Sequence, residues 1–342
     1  MGLENKQSKK KKVTVNDIAK AVGMSASTVS RALSNHPKIS SSTKDVVHKT
    51  AKKLGYFAGN SGYMQSGQTK TIIILVDHTQ IHSAQTFVKA VQDALEKQDL
   101  QVLIKYLTDD DATSLKSLRQ LSKFDTAGFI SLLNDKRHLT QLSKLSTDYN
   151  IPLIIVNNAN VEPEAIIISP DLFNGIMLIL RHLLRVRAVH PVLISNPDFV
   201  YAEALNDAFI EVADTFENKF EYYTLRVQNS YKELKFEIEQ ILKKHPETDA
   251  FITYNYDTAL QLHYLLTSKH IKIPEDIKIV SFGDEDGQAY IFPKITSISY
   301  SLTEMGQTAA QQILNFIEKK SINNNLFIKP TKLIIRSSTM GI

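Results

Sequence analysis

The chain contains no cysteine. That removes disulfide frameworks, cysteine-ligated zinc and thiol nucleophiles together, and it fits a reducing compartment. No stretch approaches the roughly 18 uncharged apolar residues that a membrane helix requires. The start lacks a secretory pattern, because Lys9, Lys10, Lys11 and Lys12 are followed by polar sequence rather than an apolar segment. Common catalytic signatures are missing as well. No G-x-G-x-x-G follows a strand-like run and there is no P-loop, no G-x-S-x-G elbow and no H-E-x-x-H, and the 10 histidines are scattered. The expectation is a cytoplasmic protein that is not an enzyme and needs no cofactor and no metal.

Charge is present in ordinary amount but unevenly placed. The 342 residues allow two or three domains with their own cores. With 43% hydrophobic and 22% charged residues the composition is that of a globular protein. Residues 1–60 carry 12 Lys and Arg against 3 Asp and Glu, a net of +9, so the overall +4 leaves −5 for residues 61–342. A basic head on an acidic body points to a nucleic-acid contact at one end.

The head reads as three short helices. Thr14 and Asp17 have capping-box spacing, and Ile18, Ala19 and Val22 form an apolar stripe that Gly23 can end. Ser25 is the N-cap expected for a second helix through Leu33, and Ser42 with Asp45 is the capping box expected for a third, running through Val46, Val47, Thr50, Ala51 and Leu54. Two helices that cross steeply need a small residue at their closest approach, a turn tolerant of positive φ and an apolar anchor. Ala19, Gly23 and Val29 meet those needs in order, which is the packing requirement of a helix-turn-helix.

The run from Val13 to Ala19, the segments Ala21–Ser25 and Thr28–Leu33, and the closing Leu54-Gly55-Tyr56 resemble the DNA-binding headpiece of the lactose-repressor (LacI/GalR) family of bacterial transcription regulators. The resemblance implies a second helix lying in the major groove, with Ala26, Ser27 and Arg31 toward base edges. An arginine fork suits guanine O6 and N7. Thr14, Thr28, Ser30 and Lys38 would bind phosphate, and Val15, Asn16, Ser25 and Tyr56 belong to the same DNA-facing set. Residues 57–70 correspond to the family's hinge helix but depart from it. Ala58-Gly59 replaces the usual Pro-Asn, and Met64 stands where a leucine wedges into the minor groove. Gly59, Gly62 and Gly67 each disfavour helix by about 1 kcal/mol relative to alanine, so the expected hinge is weaker or works differently.

Beyond the head, Thr71–Val76 is the continuous apolar run of a buried parallel strand. Similar runs recur at 102–106, 127–132, 153–157, 165–169, 191–194, 222–227, 250–254 and 277–282, separated by helical segments such as 114–122 and 231–244. Alternation of this kind predicts an α/β body with two doubly wound sheets. Here the family resemblance continues at Asp171–Gly175, Ile273–Phe282, Thr296–Ile298 and Met305-Gly306. It implies a two-lobed, periplasmic-binding-protein-like core whose cleft takes a small effector. The expected layout is a basic tail at 1–12, a headpiece at 13–56, a hinge linker at 57–70 and a core at 71–342. Within the core, lobe 1 covers about 71–158 and 290–322, and lobe 2 about 159–289 and 323–342. His78, Asn158, Tyr256, Asp257 and Asp284 are the expected cleft residues. Three customary effector-binding positions are departures, with Gly283 in place of an aspartate, Leu205 in place of an arginine, and Ser83-Ala84 in place of an aromatic pair.

The functional expectation is a homodimeric repressor of carbohydrate-related genes on a palindromic double-stranded operator, gated by a sugar or sugar derivative. A regulator gated by a protein co-regulator, or not gated at all, is the alternative that the cleft departures favour. A cytosolic α/β enzyme or a solute-binding protein comes last, since neither accounts for the basic head.

Overall fold

The computed structural model describes residues 14–33, 39–54, 70–77, 81–107, 120–121, 125–156, 165–228, 230–284, 291–320 and 324–340. They form two compact units, a headpiece and a body.

In the headpiece, α1 spans Val15–Val22, α2 spans Ala26–Leu33 and α3 spans Ser41–Leu54. The expected capping box closes α1. The Thr14 hydroxyl accepts from the Asp17 amide at 3.3 Å, and the Asp17 carboxylate accepts from the Thr14 amide at 2.8 Å. Gly23 ends the helix at φ +67°, in the left-handed region that favours glycine. Ser25 caps α2 by accepting from the Thr28 amide at 3.1 Å. The start of α3 differs from expectation. Ser40, not Ser42, supplies the cap, accepting from the Thr43 amide at 3.2 Å. Ile18, Ala19, Val29, Ala32, Val47 and Ala51 form the core of the three helices, so Ala19 and Val29 sit where the crossing requires them.

The body is built on two six-stranded sheets. The first holds β1 (Lys70–Asp77), β2 (Leu100–Leu107), β3 (Thr126–Leu132), β4 (Leu153–Val156), β5 (Ile166–Pro170) and β11 (Leu326–Lys329), in the order β2-β1-β3-β4-β5-β11. The second holds β6 (Pro191–Ser195), β7 (Tyr223–Arg226), β8 (Ala250–Thr253), β9 (Lys278–Phe282), β10 (Thr296–Tyr300) and β12 (Thr331–Ile334), in the order β7-β6-β8-β9-β10-β12. Every pairing is parallel except β10 with β12. Helices α4 (Ile81–Leu95), α5 (Lys136–Tyr149) and α10 (Leu302–Ile317) accompany the first sheet. Helices α6 (Leu172–Arg185), α7 (Ala202–Asp214), α8 (Tyr231–Lys244) and α9 (Tyr256–Ser268) accompany the second. Each lobe has its own apolar cluster, one around Ile72, Phe87, Ile154 and Met305, the other around Val192, Phe251, Leu262 and Ile279.

The chain changes sheet between β5 and α6, between β10 and α10, and between β11 and β12. The expected lobe boundaries need correction at each crossing. Ile166–Pro170 pairs with β4 and Leu326–Lys329 pairs with β5, so both belong to lobe 1. Thr296–Tyr300 pairs with β9 and belongs to lobe 2. A strand's lobe is fixed by the strand it bonds to, which a short apolar run does not encode. The helix expected at 114–122 lies outside the described residues except for Gln120 and Leu121.

Asp171 joins two of the crossings. Its carboxylate caps α6 by accepting from the Asn174 amide at 2.9 Å, and its own amide donates to the Lys329 carbonyl at 2.9 Å. The Thr331 hydroxyl donates to the Asp171 carbonyl at 3.3 Å, and the Asn174 side chain donates to the Thr331 hydroxyl at 3.1 Å. Close approaches explain two glycines. A Cβ on Gly175 would meet the Phe282 ring at 2.6 Å, and one on Gly306, in α10, would meet the Phe87 carbonyl of α4 at 2.7 Å.

The C-terminal segment is stitched into lobe 2 by buried polar groups. His182 on α6 shares a hydrogen bond of 2.7 Å with the Thr339 hydroxyl, which shares another of 2.7 Å with Thr296. Burial, with Arg185 adding repulsion, holds the His182 imidazole below its ordinary pKa of 6.5.

Two outcomes follow for stability. Gly306→Ala should destabilise the body by about 1–3 kcal/mol in urea unfolding, because backbone rather than a flexible side-chain tip blocks the new methyl. Because His182 is depressed in the folded state, the unfolded chain binds more protons as pH falls through 6.5. The melting temperature should therefore fall with acidification below that pH. His182→Gln should reduce the slope without removing it, since burial also depresses His263.

Candidate nucleic-acid interface and effector cleft

On α2, Val29 and Ala32 are buried against the headpiece core, while Ser27, Ser30 and Arg31 are exposed. Positions 27, 30 and 31 share one face of a helix, so these three side chains form one outward surface. Ala26, expected at a base edge, is half-buried and packs partly against the core, as does Val15. Asn16 is exposed. The hydroxyls beside this face are bonded to one another. Ser25 shares bonds of 2.9 Å with Ser27 and 2.8 Å with Thr28.

Thr14, expected at a phosphate, also closes the first turn of α1. Its hydroxyl donates to Asp17 at 2.7 Å and its amide donates to the same carboxylate oxygen at 2.8 Å. Both Thr14 donors are thus held by the Asp17 carboxylate. Lys38, Tyr56 and Met64 lie outside the described residues.

In doubly wound sheets of this strand order, ligands sit beyond the carboxyl ends of the strands, where the order reverses. That point falls between β1 and β3 in lobe 1 and between β6 and β8 in lobe 2. Asp77 ends β1. Burial pushes its carboxyl above the usual range, opposed by the Asn134 amide donating at 2.5 Å and by His138 nearby. In lobe 2, buried Asn196 follows β6, and its side-chain oxygen accepts from the Asp198 amide at 2.9 Å. The Phe199 ring stands edge-on to Tyr201 and Tyr254, with centroids 5.3 Å and 4.8 Å away. The Tyr201 hydroxyl donates to the Tyr254 carbonyl at 2.8 Å, and burial raises this phenol well above its ordinary pKa.

The turns after β3 and β6 meet across the lobes. The Val200 amide donates to the Asn134 carbonyl at 3.0 Å, and the Lys136 amide donates to the Asp198 carbonyl at 3.4 Å. Asp135 and Phe199 form an antiparallel bridge between these bonds. The Lys136 ammonium lies 3.1 Å from the Glu203 carboxylate.

Of the expected cleft residues, Tyr256, Asp257 and Asp284 are among the described ones. Tyr256 is only 3% exposed and belongs to the apolar cluster of lobe 2. Asp257 is exposed in the first turn of α9, while Asn255 caps that helix by accepting from the Thr258 amide at 2.9 Å. Asp284 is held inside lobe 2. One of its oxygens accepts from Ser297 at 2.8 Å and the other from Arg336 at 2.9 Å, and Arg336 also donates to the Ile295 carbonyl at 2.7 Å. Its carboxylate braces the C-terminal segment. His78 and Asn158 lie outside the described residues. Leu205, at the position of the customary arginine, is fully buried. The residues that do line the junction, Asp77, Asn134, Asn196, Phe199, Tyr201 and Tyr254, were missed. Most of them follow a parallel strand, and that placement is the signal that could have found them.

Comparison with known proteins accords with both units. Residues 14–58 match the family described as "Bacterial regulatory proteins, lacI family", and residues 181–339 match the "Periplasmic binding protein-like domain". The NTD biosynthesis operon regulator NtdR of Bacillus subtilis (strain 168) is 25% identical over 341 residues, covering 95% of this chain and 99% of its own. The ribose operon repressor of Lactococcus lactis subsp. lactis (strain IL1403) is 21% identical, with 95% and 97% covered. Among solved structures, the cellobiose complex of the transcriptional regulator CelR superposes with a TM-score of 0.69 at 19% identity, covering 96% of this chain and all of that one. The Lac repressor dimer bound to operator gives 0.67 at 18% identity, covering 97% and 100%. The chain therefore carries a lacI-family DNA-binding domain followed by a periplasmic binding protein-like domain.

Proposed function

We propose that this regulator is a cytoplasmic homodimeric repressor of carbohydrate-related genes that reads a palindromic operator and has no catalytic role. The observation that carries the reading is the exposed face of Ser27, Ser30 and Arg31 on α2, opposite the buried Val29 and Ala32, in a head that is strongly basic. Relatives named for ribose and sucrose operons support the carbohydrate link, as does the cellobiose carried by one structural neighbour. Among the described residues no helix is long and apolar enough to cross a membrane.

One headpiece reads few base pairs, so specificity calls for two. Lobe 2 offers a face for pairing. Tyr264 is 66% exposed and Phe292 69%, and the rings of Tyr264 and Tyr231 lie 6.1 Å apart. The His263 ring and the Phe292 carbonyl, 3.2 Å apart, connect the two parts of this patch. Clustered exposed aromatics of this kind favour an interface over open solvent.

For the effector, a second reading has its own support. Leu205 and Gly283 offer no polar side chain at two positions where the family resemblance implies one, and a polar ligand in a buried cleft needs paired hydrogen bonds. Gating by a protein co-regulator, or no gating, agrees with this.

Three measurements test the proposal. Operator affinity in a mobility-shift assay should fall steeply as salt rises; a shift insensitive to salt would reject DNA binding through the head. Arg31→Ala should weaken specific binding about 10- to 100-fold while the circular dichroism spectrum stays unchanged, the loss expected for one base-reading arginine. Tyr264→Asp should turn the dimer into a monomer in sedimentation velocity and lower operator affinity; a variant that stays dimeric would move the interface elsewhere.

A further inference from the structure

We infer that the core of this regulator is clasped shut by its own backbone, so that closure of the lobes needs no bound small molecule. The inference concerns the core alone and stands apart from the operator reading.

The clasp lies where the strand order of both sheets reverses, the place that a ligand bridging the lobes would occupy. A ligand closes two lobes by giving each a partner that the other cannot supply. Here each lobe supplies the partner itself. The Val200 amide reaches the Asn134 carbonyl at 3.0 Å, the Lys136 amide reaches the Asp198 carbonyl at 3.4 Å, and Asp135 bridges to Phe199 between them. The Lys136–Glu203 ion pair at 3.1 Å continues the same seam on the outside.

Both halves of the clasp are fixed within their own lobe. On the lobe 1 side, Asp77 holds the Asn134 amide, and Asp135 caps α5 by accepting from the Arg137 amide at 2.7 Å. On the lobe 2 side, Asn196 fixes the turn twice. Its side chain accepts from the Asp198 amide at 2.9 Å and its carbonyl from the Phe199 amide at 3.0 Å. Phe199 is then seated between Tyr201 and Tyr254. Two edges already held in bonding geometry lose little freedom when they meet, which is what preorganisation contributes to any association. Asp77 and Asn196, the polar side chains at the two strand ends, each hold one turn of the clasp.

The absence of cysteine makes the test direct, because two introduced cysteines are the only labelling sites. Glu96, just past α4, and Lys243, near the end of α8, are exposed and follow helices whose far ends lie away from the carboxyl ends of the strands. Spin labels on Glu96→Cys and Lys243→Cys, in full-length chains diluted with unlabelled protein, report the distance between lobes by double electron–electron resonance. Without ligand the distribution should be single and narrow. In the same background, Phe199→Ala with Glu203→Lys, which removes the seated ring and sets like charges at the seam, should broaden it and shift it. A broad or two-peaked distribution in the unliganded parent overturns the inference, as does a folded double variant whose distribution matches the parent's. If the double variant does not fold, the parent's distribution decides. No DNA is present, so loss of operator binding and loss of the clasp are separate results.

Discussion

The bond from the Asp171 amide to the Lys329 carbonyl, 2.9 Å long, ties the first crossing of the body to the third. Around it the Thr331 hydroxyl and the Asn174 side chain close a small polar knot between the sheets. Neither lobe is a continuous piece of chain. The first sheet lacks its edge strand until Leu326–Lys329 arrives, and the second lacks its antiparallel edge until Thr331–Ile334 does. The lobes are thus completed by adjacent residues of one short segment, and any relative rotation has to pivot close to Asp171. The glycine one turn into α6 belongs to the same constraint. Gly175 lets that helix settle against Phe282, which places the end of β9 near the crossings.

A pivot alone leaves the lobes free to turn about it. The contact between the turns after β3 and β6 removes that freedom, because a second attachment away from an axis fixes the rotation. The two attachments differ in kind. Both have main-chain bonds at their centre, but the pivot adds side chains that bond directly, the Asp171 carboxylate to the Asn174 amide and the Asn174 side chain to the Thr331 hydroxyl. The clasp is made mostly from main-chain groups, and its side chains act one step back, holding the turns in shape.

That difference explains how much could be read in the sequence. Headpiece packing was legible because each requirement falls on a residue type: a small side chain at Ala19, a left-handed turn at Gly23, an apolar anchor at Val29. The Asp171–Gly175 segment stood out only through the family resemblance. The clasp was not legible, since an amide of Val200 and a carbonyl of Asn134 look like those of any residue. The Asp284–Arg336 pair was hidden by a separation of 52 positions. The cap of α3 was misplaced because Ser40, Ser41 and Ser42 are chemically equivalent, and only the direction of the preceding chain selects among them. Lobe boundaries slipped because a strand such as Ile166–Pro170 is buried on both faces in either sheet.

The clasp also changes what an effector could do. A ligand shifts a two-state equilibrium only by the difference between its affinities for the two states. In a core that rests open, a ligand that bridges the lobes has its whole binding energy available to close them. In a core already closed by its own backbone, the same ligand finds little left to shift. The productive direction is then reversed: the agent that changes the state must favour opening, by competing for the turn at 134–136 or the turn at 198–200. A macromolecule that grips the outside of the seam, where Lys136 and Glu203 are accessible, can do this without entering the cleft.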